Sequence, residues 1–146
     1  MSRKKSWAYV AMSADIIHQG HINIIKIAGS YGNVLIGLLT DRAIASFKRL
    51  PIVKYAARKV IVENIKGVDK VVPQTTHSYV KNLRKYKPDF VIHGDDWRYG
   101  IQKKIRSDAI KCLKEWNGRI IEPKYTEGIS TTDLINTMRI KFFLDL

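Results

Sequence analysis

His18 and His21 stand three residues apart in the run Ser13-Ala14-Asp15-Ile16-Ile17-His18-Gln19-Gly20-His21, between a strand-like and a helix-like segment. Two histidines so spaced at a helix N-terminus can point the same way, where free backbone N–H groups and the helix dipole favour an anion. Gly20 lets the backbone come close to a ligand. The chemistry this suggests is the holding of phosphate oxygens; a pair of capping or surface histidines is the plain alternative. A zinc pair would need a third ligand, and no Cys, His or carboxylate stands at a helpful spacing. The second constellation is Thr126-Glu127-Gly128-Ile129-Ser130-Thr131-Thr132. Hydroxyl residues running into a helix can cap it and offer O–H and N–H donors to phosphate oxygens, and capping alone would need only one of the three.

These residues need elements to bring them together. Short β-rich runs alternate with longer amphipathic segments, which predicts an α/β fold: a parallel sheet of five strands with helices on both faces. The predicted strands are Trp7 to Met12, Asn33 to Leu39, Val68 to Val72, Asp89 to His93 and Arg119 to Glu122. The second, Asn-Val-Leu-Ile-Gly-Leu-Leu, is almost wholly apolar, as expected of a strand covered on both faces. Helices are predicted over His21 to Ser30, from Pro51 to about Ile65, over Tyr79 to Tyr86, over Ile101 to Trp116 and from Thr131 to about Ile140. No linker, repeat or low-complexity tract interrupts the chain, so residues 1–146 are expected to form one domain. In such a sheet, ligands bind beyond the carboxyl ends of the strands. That rule draws Ser13 to His21, Thr40 and Asp41, Gly94 to Trp97 and Tyr125 to Thr132 to one edge.

The chain carries 26 Lys and Arg against 13 Asp and Glu, a net charge of +13. Such a balance raises nucleic-acid or anionic-membrane binding. The basic residues are spread from Arg3 to Lys141, however, with no dense Arg run interleaved with stacking aromatics. A solvated lysine surface, and a field attracting small polyanions, account for the excess without a nucleic acid or a membrane as partner. The single cysteine, Cys112, cannot form an internal disulfide and reads as an ordinary thiol. The basic start, Met1 to Ser6, is not followed by an apolar signal segment, and no stretch approaches the ~20 apolar residues of a membrane helix. A cytoplasmic location is expected.

His18-Gln19-Gly20-His21 after a first strand resembles the HxGH signature of the nucleotidyltransferase superfamily, and Thr126 to Thr132 resembles the TEGISTT motif of its cytidylyltransferase branch. Gly94-Asp95-Asp96-Trp97 is similar to the GDDW motif of glycerol-3-phosphate cytidylyltransferases. The three motifs stand in that family's order and spacing. Met12-Ser13-Ala14-Asp15, Ser46-Phe47-Lys48-Arg49-Leu50-Pro51 and His93 to Trp97 look closest to phosphonate-pathway members, including domains fused to phosphoenolpyruvate mutase. Two positions depart from the pattern: Met12 replaces the usual glycine, and Tyr125 replaces the arginine before TEGISTT.

The resemblance implies a Rossmann-like domain that transfers CMP from CTP to a phosphonate or phosphate acceptor, with Mg²⁺ on the phosphates and no protein metal ligands. It implies catalytic roles for His18, His21, Lys48 and Thr131. Ser13, Ala14, Gly20, Arg49, Asp96, Trp97, Ser130 and Thr132 would bind nucleotide; Asp15, Arg58 and Lys66 would lie near the acceptor. A homodimer is also implied, with the Asp96-Trp97 loop and the segment after His18 near the interface. For the acceptor, 2-hydroxyethylphosphonate or 2-aminoethylphosphonate is favoured over glycerol, choline or ethanolamine phosphate. An ATP-using adenylyltransferase and a basic nucleic-acid-binding domain are the rival expectations.

Overall fold

The structure, a computed structural model, describes residues 5–143; of the basic start, residues 1–4 lie outside it. The five strands form one all-parallel sheet in the order β3-β2-β1-β4-β5, from β1 (Trp7–Met12), β2 (Asn33–Leu39), β3 (Lys70–Gln74), β4 (Phe90–Ile92) and β5 (Arg119–Ile121). Among the described residues six α-helices connect or follow them: α1 (Gln19–Tyr31), α2 (Asp41–Ala45), α3 (Tyr55–Glu63), α4 (Val80–Tyr86), α5 (Lys103–Leu113) and α6 (Thr131–Phe142).

The period of two in a strand decides which helices cover which face. Ala8, Val10 and Met12 of β1 point to one side with Val34, Ile36 and Leu38 of β2, and meet Ile25 and Ala28 of α1 and Val62 of α3. Tyr9, Leu35 and Val91 point to the other side and meet Leu83 of α4 and Ala109, Cys112 and Leu113 of α5. Both faces are thus covered, and Cys112 is a buried core thiol.

The bounds of β1 and β2 coincide with those the sequence predicts. The third strand runs two residues later than expected, because β2 dictates its register: Leu35 pairs with Lys70 and Leu39 with Gln74. The helix expected from Pro51 begins only at Tyr55, since the Ile52 and Val53 amides are bound by the Asp15 carboxylate instead of lying in a helical turn. The short α2 escaped the sequence pattern; Thr40 caps it, its Oγ1 accepting from Ala43 N at 3.2 Å. Among the described residues no helix is long and apolar enough to cross a membrane.

Candidate active site

Strand order reverses at β1, whose neighbours β2 and β4 lead to opposite edges of the sheet, and a crevice opens there beyond the carboxyl ends. A cleft of about 400 Å³ lies at this point, walled by residues 10–15 at and beyond the end of β1, 92–94 at and beyond the end of β4, and 123–126 and 129–132 after β5. His18, His21 and Lys48 also line it.

His18 is the N-cap of α1: its Nδ1 accepts from Gly20 N at 3.1 Å, while His21 Nδ1 accepts from His18 N at 3.2 Å. Each ring therefore spends its unprotonated nitrogen on the backbone, and the hydrogen-bond network assigns the proton to Nε2 as a free donor. The rings lie 4.0 Å apart between centroids. Desolvation, then the neighbouring His18 and Lys48, pushes the His21 pKa down to about 4, and desolvation also lowers that of His18. Both are neutral N–H donors at neutral pH. An added Cβ at Gly20 would stand 2.8 Å from His18 Cε1, so a larger residue would displace the capping ring.

Ala14 turns the chain out of β1 with φ 52, a left-handed conformation that costs a non-glycine residue about 1 kcal/mol. This turn aims the Asp15 carboxylate inward, where it is 6% exposed. Asp15 accepts from Arg49 Nη1 at 2.6 Å, Ile52 N at 3.0 Å and Val53 N at 2.8 Å. Burial alone would raise its pKa; the two backbone donors and Arg49 outweigh that and hold it below the usual carboxylate value. Arg58 holds the next peptide of the same segment, its Nε donating to Val53 O at 2.8 Å. Its remaining donors go to Ser13 O, Leu39 O and Asp41.

The expectation that Arg58 contacts the acceptor is therefore corrected: the side chain is 0% exposed, and its donors are spent inside the fold. Asp15, although it borders the cleft, spends both carboxylate oxygens on the segment 49–53. Arg49 is tied to Asp15 and is not among the cleft residues, and Lys66 is exposed in the turn after α3, away from the cleft. Lys48 does reach the cleft. Although the residue is exposed overall, desolvation where it meets the cleft, with Arg49 beside it, lowers its pKa.

The wall after β4 is built on Trp97, which is fully buried behind the cleft. The His93 ring stacks on it with centroids 3.9 Å apart and planes within 5°. Trp97 Nε1 donates to Glu122 Oε2 at 2.8 Å, and Glu122 also receives Arg98 and Arg106. Arg106 foremost among these partners brings the Glu122 pKa down to about 2. Trp97 shapes the cleft through His93, while Asp96 lines it directly. Asp95 Oδ1 accepts from Tyr125 N at 3.0 Å, joining this wall to the segment before α6.

Ser130 caps α6, its Oγ accepting from Asp133 N at 3.0 Å. Thr131 makes only a long contact, Oγ1 to Ile16 O at 3.4 Å. The hydroxyls of Thr131 and Thr132 thus stay available at a second helix N-terminus facing the same cleft. Asn23 and His93 line the cleft too; neither is assigned a binding role from the sequence, although His93 stands in the quoted motif His93 to Trp97. Asn23 lies two residues after His21 on α1 and donates to Thr126 Oγ1 at 3.3 Å; the rule for strand ends could have flagged His93. Among the described residues no three His, Cys, Asp or Glu side chains converge on a metal position.

Comparison with known proteins identifies the family to which the chain belongs. The sequence profile of the cytidylyltransferase-like family matches residues 12–137. Ethanolamine-phosphate cytidylyltransferase of Mus musculus is 36% identical over 126 residues, covering 85% of this chain and 30% of that protein. The chain spans about a third of the length of the ethanolamine-phosphate cytidylyltransferases it matches. Glycerol-3-phosphate cytidylyltransferase of Bacillus spizizenii is 31% identical, covering 85% of this chain and 90% of that one. Among solved structures, a lipopolysaccharide core biosynthesis protein from Thermoplasma volcanium superposes with a TM-score of 0.71 at 18% identity, covering 84% of this chain and 100% of the other, a likeness of fold. A profile match over most of its length, and a relative of similar size above 30% identity, establish that this chain belongs to the cytidylyltransferase-like family.

Proposed function

We propose that this chain transfers a cytidylyl group from CTP to an oxygen of a small phosphate- or phosphonate-bearing acceptor, releasing pyrophosphate. The observation that carries this reading is the convergence of two helix N-termini, α1 with its histidine pair and α6 with Ser130 to Thr132, on one cleft that Lys48 also enters. Two positive helix ends, two imidazole donors and an ammonium suit a polyanionic chain of phosphates better than any neutral ligand.

In the reaction an acceptor oxygen attacks the α-phosphorus in line. The new O–P bond forms as the bond to the β-phosphate oxygen breaks, and its electron pair leaves with pyrophosphate. The attacking oxygen is already ionised at neutral pH, so no protein base is required, and catalysis rests on positioning and charge stabilisation. His18 and His21 donate Nε2–H to oxygens on the α-phosphorus, where negative charge builds. A nearby phosphate favours the protonated imidazole and raises the lowered pKa values of the pair, so charge and donor strengthen on binding. Lys48 neutralises phosphate oxygens, and the α6 terminus holds the β- and γ-phosphates with the Thr131 and Thr132 donors.

Asp15 is spent on the segment 49–53, and among the described residues no three His, Cys, Asp or Glu side chains converge at the cleft. Mg²⁺ is best read as part of the substrate, held by the triphosphate, where it neutralises phosphate charge. The active species is proposed to be a homodimer.

The test is pyrophosphate release from CTP and from ATP with ethanolamine phosphate, glycerol 3-phosphate, choline phosphate, 2-aminoethylphosphonate and 2-hydroxyethylphosphonate, with light scattering giving the mass of the active species. Turnover with CTP and at least one acceptor is expected. Equal use of ATP sinks the nucleotide assignment, a monomeric mass sinks the dimer, and salt-dependent retention on DNA or RNA without turnover favours a nucleic-acid-binding domain.

A further inference from the structure

Lys48 is useful only if its ammonium is held at the cleft, and an unrestrained lysine stem does not hold it. The residue before it, Phe47, packs against Leu39, Ala43 and Ile44 at the end of β2 and in α2. Its exposed side is covered by His77, which lies flat on the Phe47 ring with centroids 3.8 Å apart and planes within 6°. The Lys48 ammonium sits 5.3 Å from the centre of that same ring. His77 itself is half-buried and is not among the residues lining the cleft.

His77 is in turn fixed from the interior. Gln74, 1% exposed, donates from Nε2 to Thr76 O at 3.1 Å and to His77 O at 3.5 Å, and its Oε1 accepts the Tyr9 hydroxyl proton. Asn82 donates to Tyr9 Oη and to Pro73 O, both at 3.0 Å. Tyr9 Oη fits only because β2 has Gly37 beside it; a Cβ there would overlap the hydroxyl. A buried polar chain is costly unless each member is partnered. Here each member is partnered, and the chain ends on the backbone that carries His77. The far end of the Lys48 segment is pinned separately, by Asp15 on the amide and Arg58 on the carbonyl of Val53.

We propose that His77 is a positioning residue for Lys48: by stacking on Phe47 it latches the start of the 46–54 segment, so that the ammonium is held toward the phosphates. This rests on the reading of Lys48 as a phosphate-binding group in a CTP-dependent transferase.

The experiment compares His77→Ala with His77→Phe, each alone and combined with Lys48→Ala. Displacing a positioned group by about 1 Å can cost on the order of a hundredfold. His77→Ala should therefore lower kcat roughly ten- to hundredfold, with the acceptor KM within about threefold of wild type. Phenylalanine keeps the stack and should restore most of the turnover. In the Lys48→Ala background, His77→Ala should cost nothing further, since residues that act through one another are not additive. A raised acceptor KM, no rescue by phenylalanine and full additivity would mean that His77 meets the acceptor itself, and would overturn the proposal. Amide hydrogen exchange over residues 46–50 provides a readout free of turnover: it should quicken in His77→Ala and return in His77→Phe, and unchanged exchange also overturns the latch. Exchange that responds as expected in a protein that does not turn over CTP leaves the latch standing and removes the functional reading.

Discussion

Replacing Arg58 by lysine separates a scaffold from a substrate contact. The guanidinium donates to three backbone carbonyls, Val53 O at 2.8 Å, Ser13 O at 2.6 Å and Leu39 O at 2.8 Å, and to Asp41 at 2.6 Å. The Asp41 side chain is 39% exposed, so that ion pair is screened and contributes little to the sum. The carbonyls are what matter. A lysine ammonium has three donors on one nitrogen and cannot reach acceptors arrayed around a planar fork, so at least two carbonyls lose their partner. At about 1–3 kcal/mol for each buried group left unpaired, the loss is about 2–6 kcal/mol. For a chain of this size that is on the order of 10 °C in melting temperature. The assay is a thermal melt followed by circular dichroism or calorimetry, with Michaelis constants measured well below the variant's transition. The expected result is a large drop in Tm with the acceptor KM little changed. A Tm within about 2 °C of wild type, together with an acceptor KM raised tenfold or more, would refute the scaffold argument and return Arg58 to the acceptor site.

Two further outcomes are expected. Ser130→Ala should cost about 1 kcal/mol of stability through the lost cap, whereas Thr131→Ala should leave the melt almost unchanged while lowering kcat and kcat/KM for CTP together; the reverse pattern would make Thr131 the structural member. The His21 pKa, depressed in the folded protein to about 4 from the ordinary 6.5 of a free imidazole, means that the unfolded chain takes up a proton the folded one refuses. Stability from this group is therefore present above pH 6.5 and lost as pH falls toward 4, by up to roughly 3 kcal/mol; a His21→Gln melt series that falls as steeply as wild type over that window would contradict it.

Much of the architecture was readable along the chain because its signals are local. An apolar run covered on both faces marks β2 wherever it sits, and a histidine pair three residues apart before a helical pattern marks the N-terminus of α1, which His18 caps. The motif around Ser130 is of the same kind, since a hydroxyl caps the helix that begins beside it. What could not be read was the partner of any group bonding at a distance. The third strand slid by two residues because its register belongs to β2, and α3 started late because a carboxylate 38 residues away claimed the Val53 amide.

The same division runs through the site. The types and order of residues in the amino-acid sequence settle that His18, His21 and the hydroxyls of residues 130–132 reach one sheet edge, since each lies on the connection that leaves the carboxyl end of a strand, where a helix begins. Whether a basic residue faces substrate or core is not a local property. Lys48, Arg58 and Lys66 look alike in sequence, yet one lines the cleft, one is buried as a brace and one lies in an exposed turn. The fold alone decides among them: it brings three carbonyls from separate segments around Arg58, and a buried cation is retained only where such acceptors surround it.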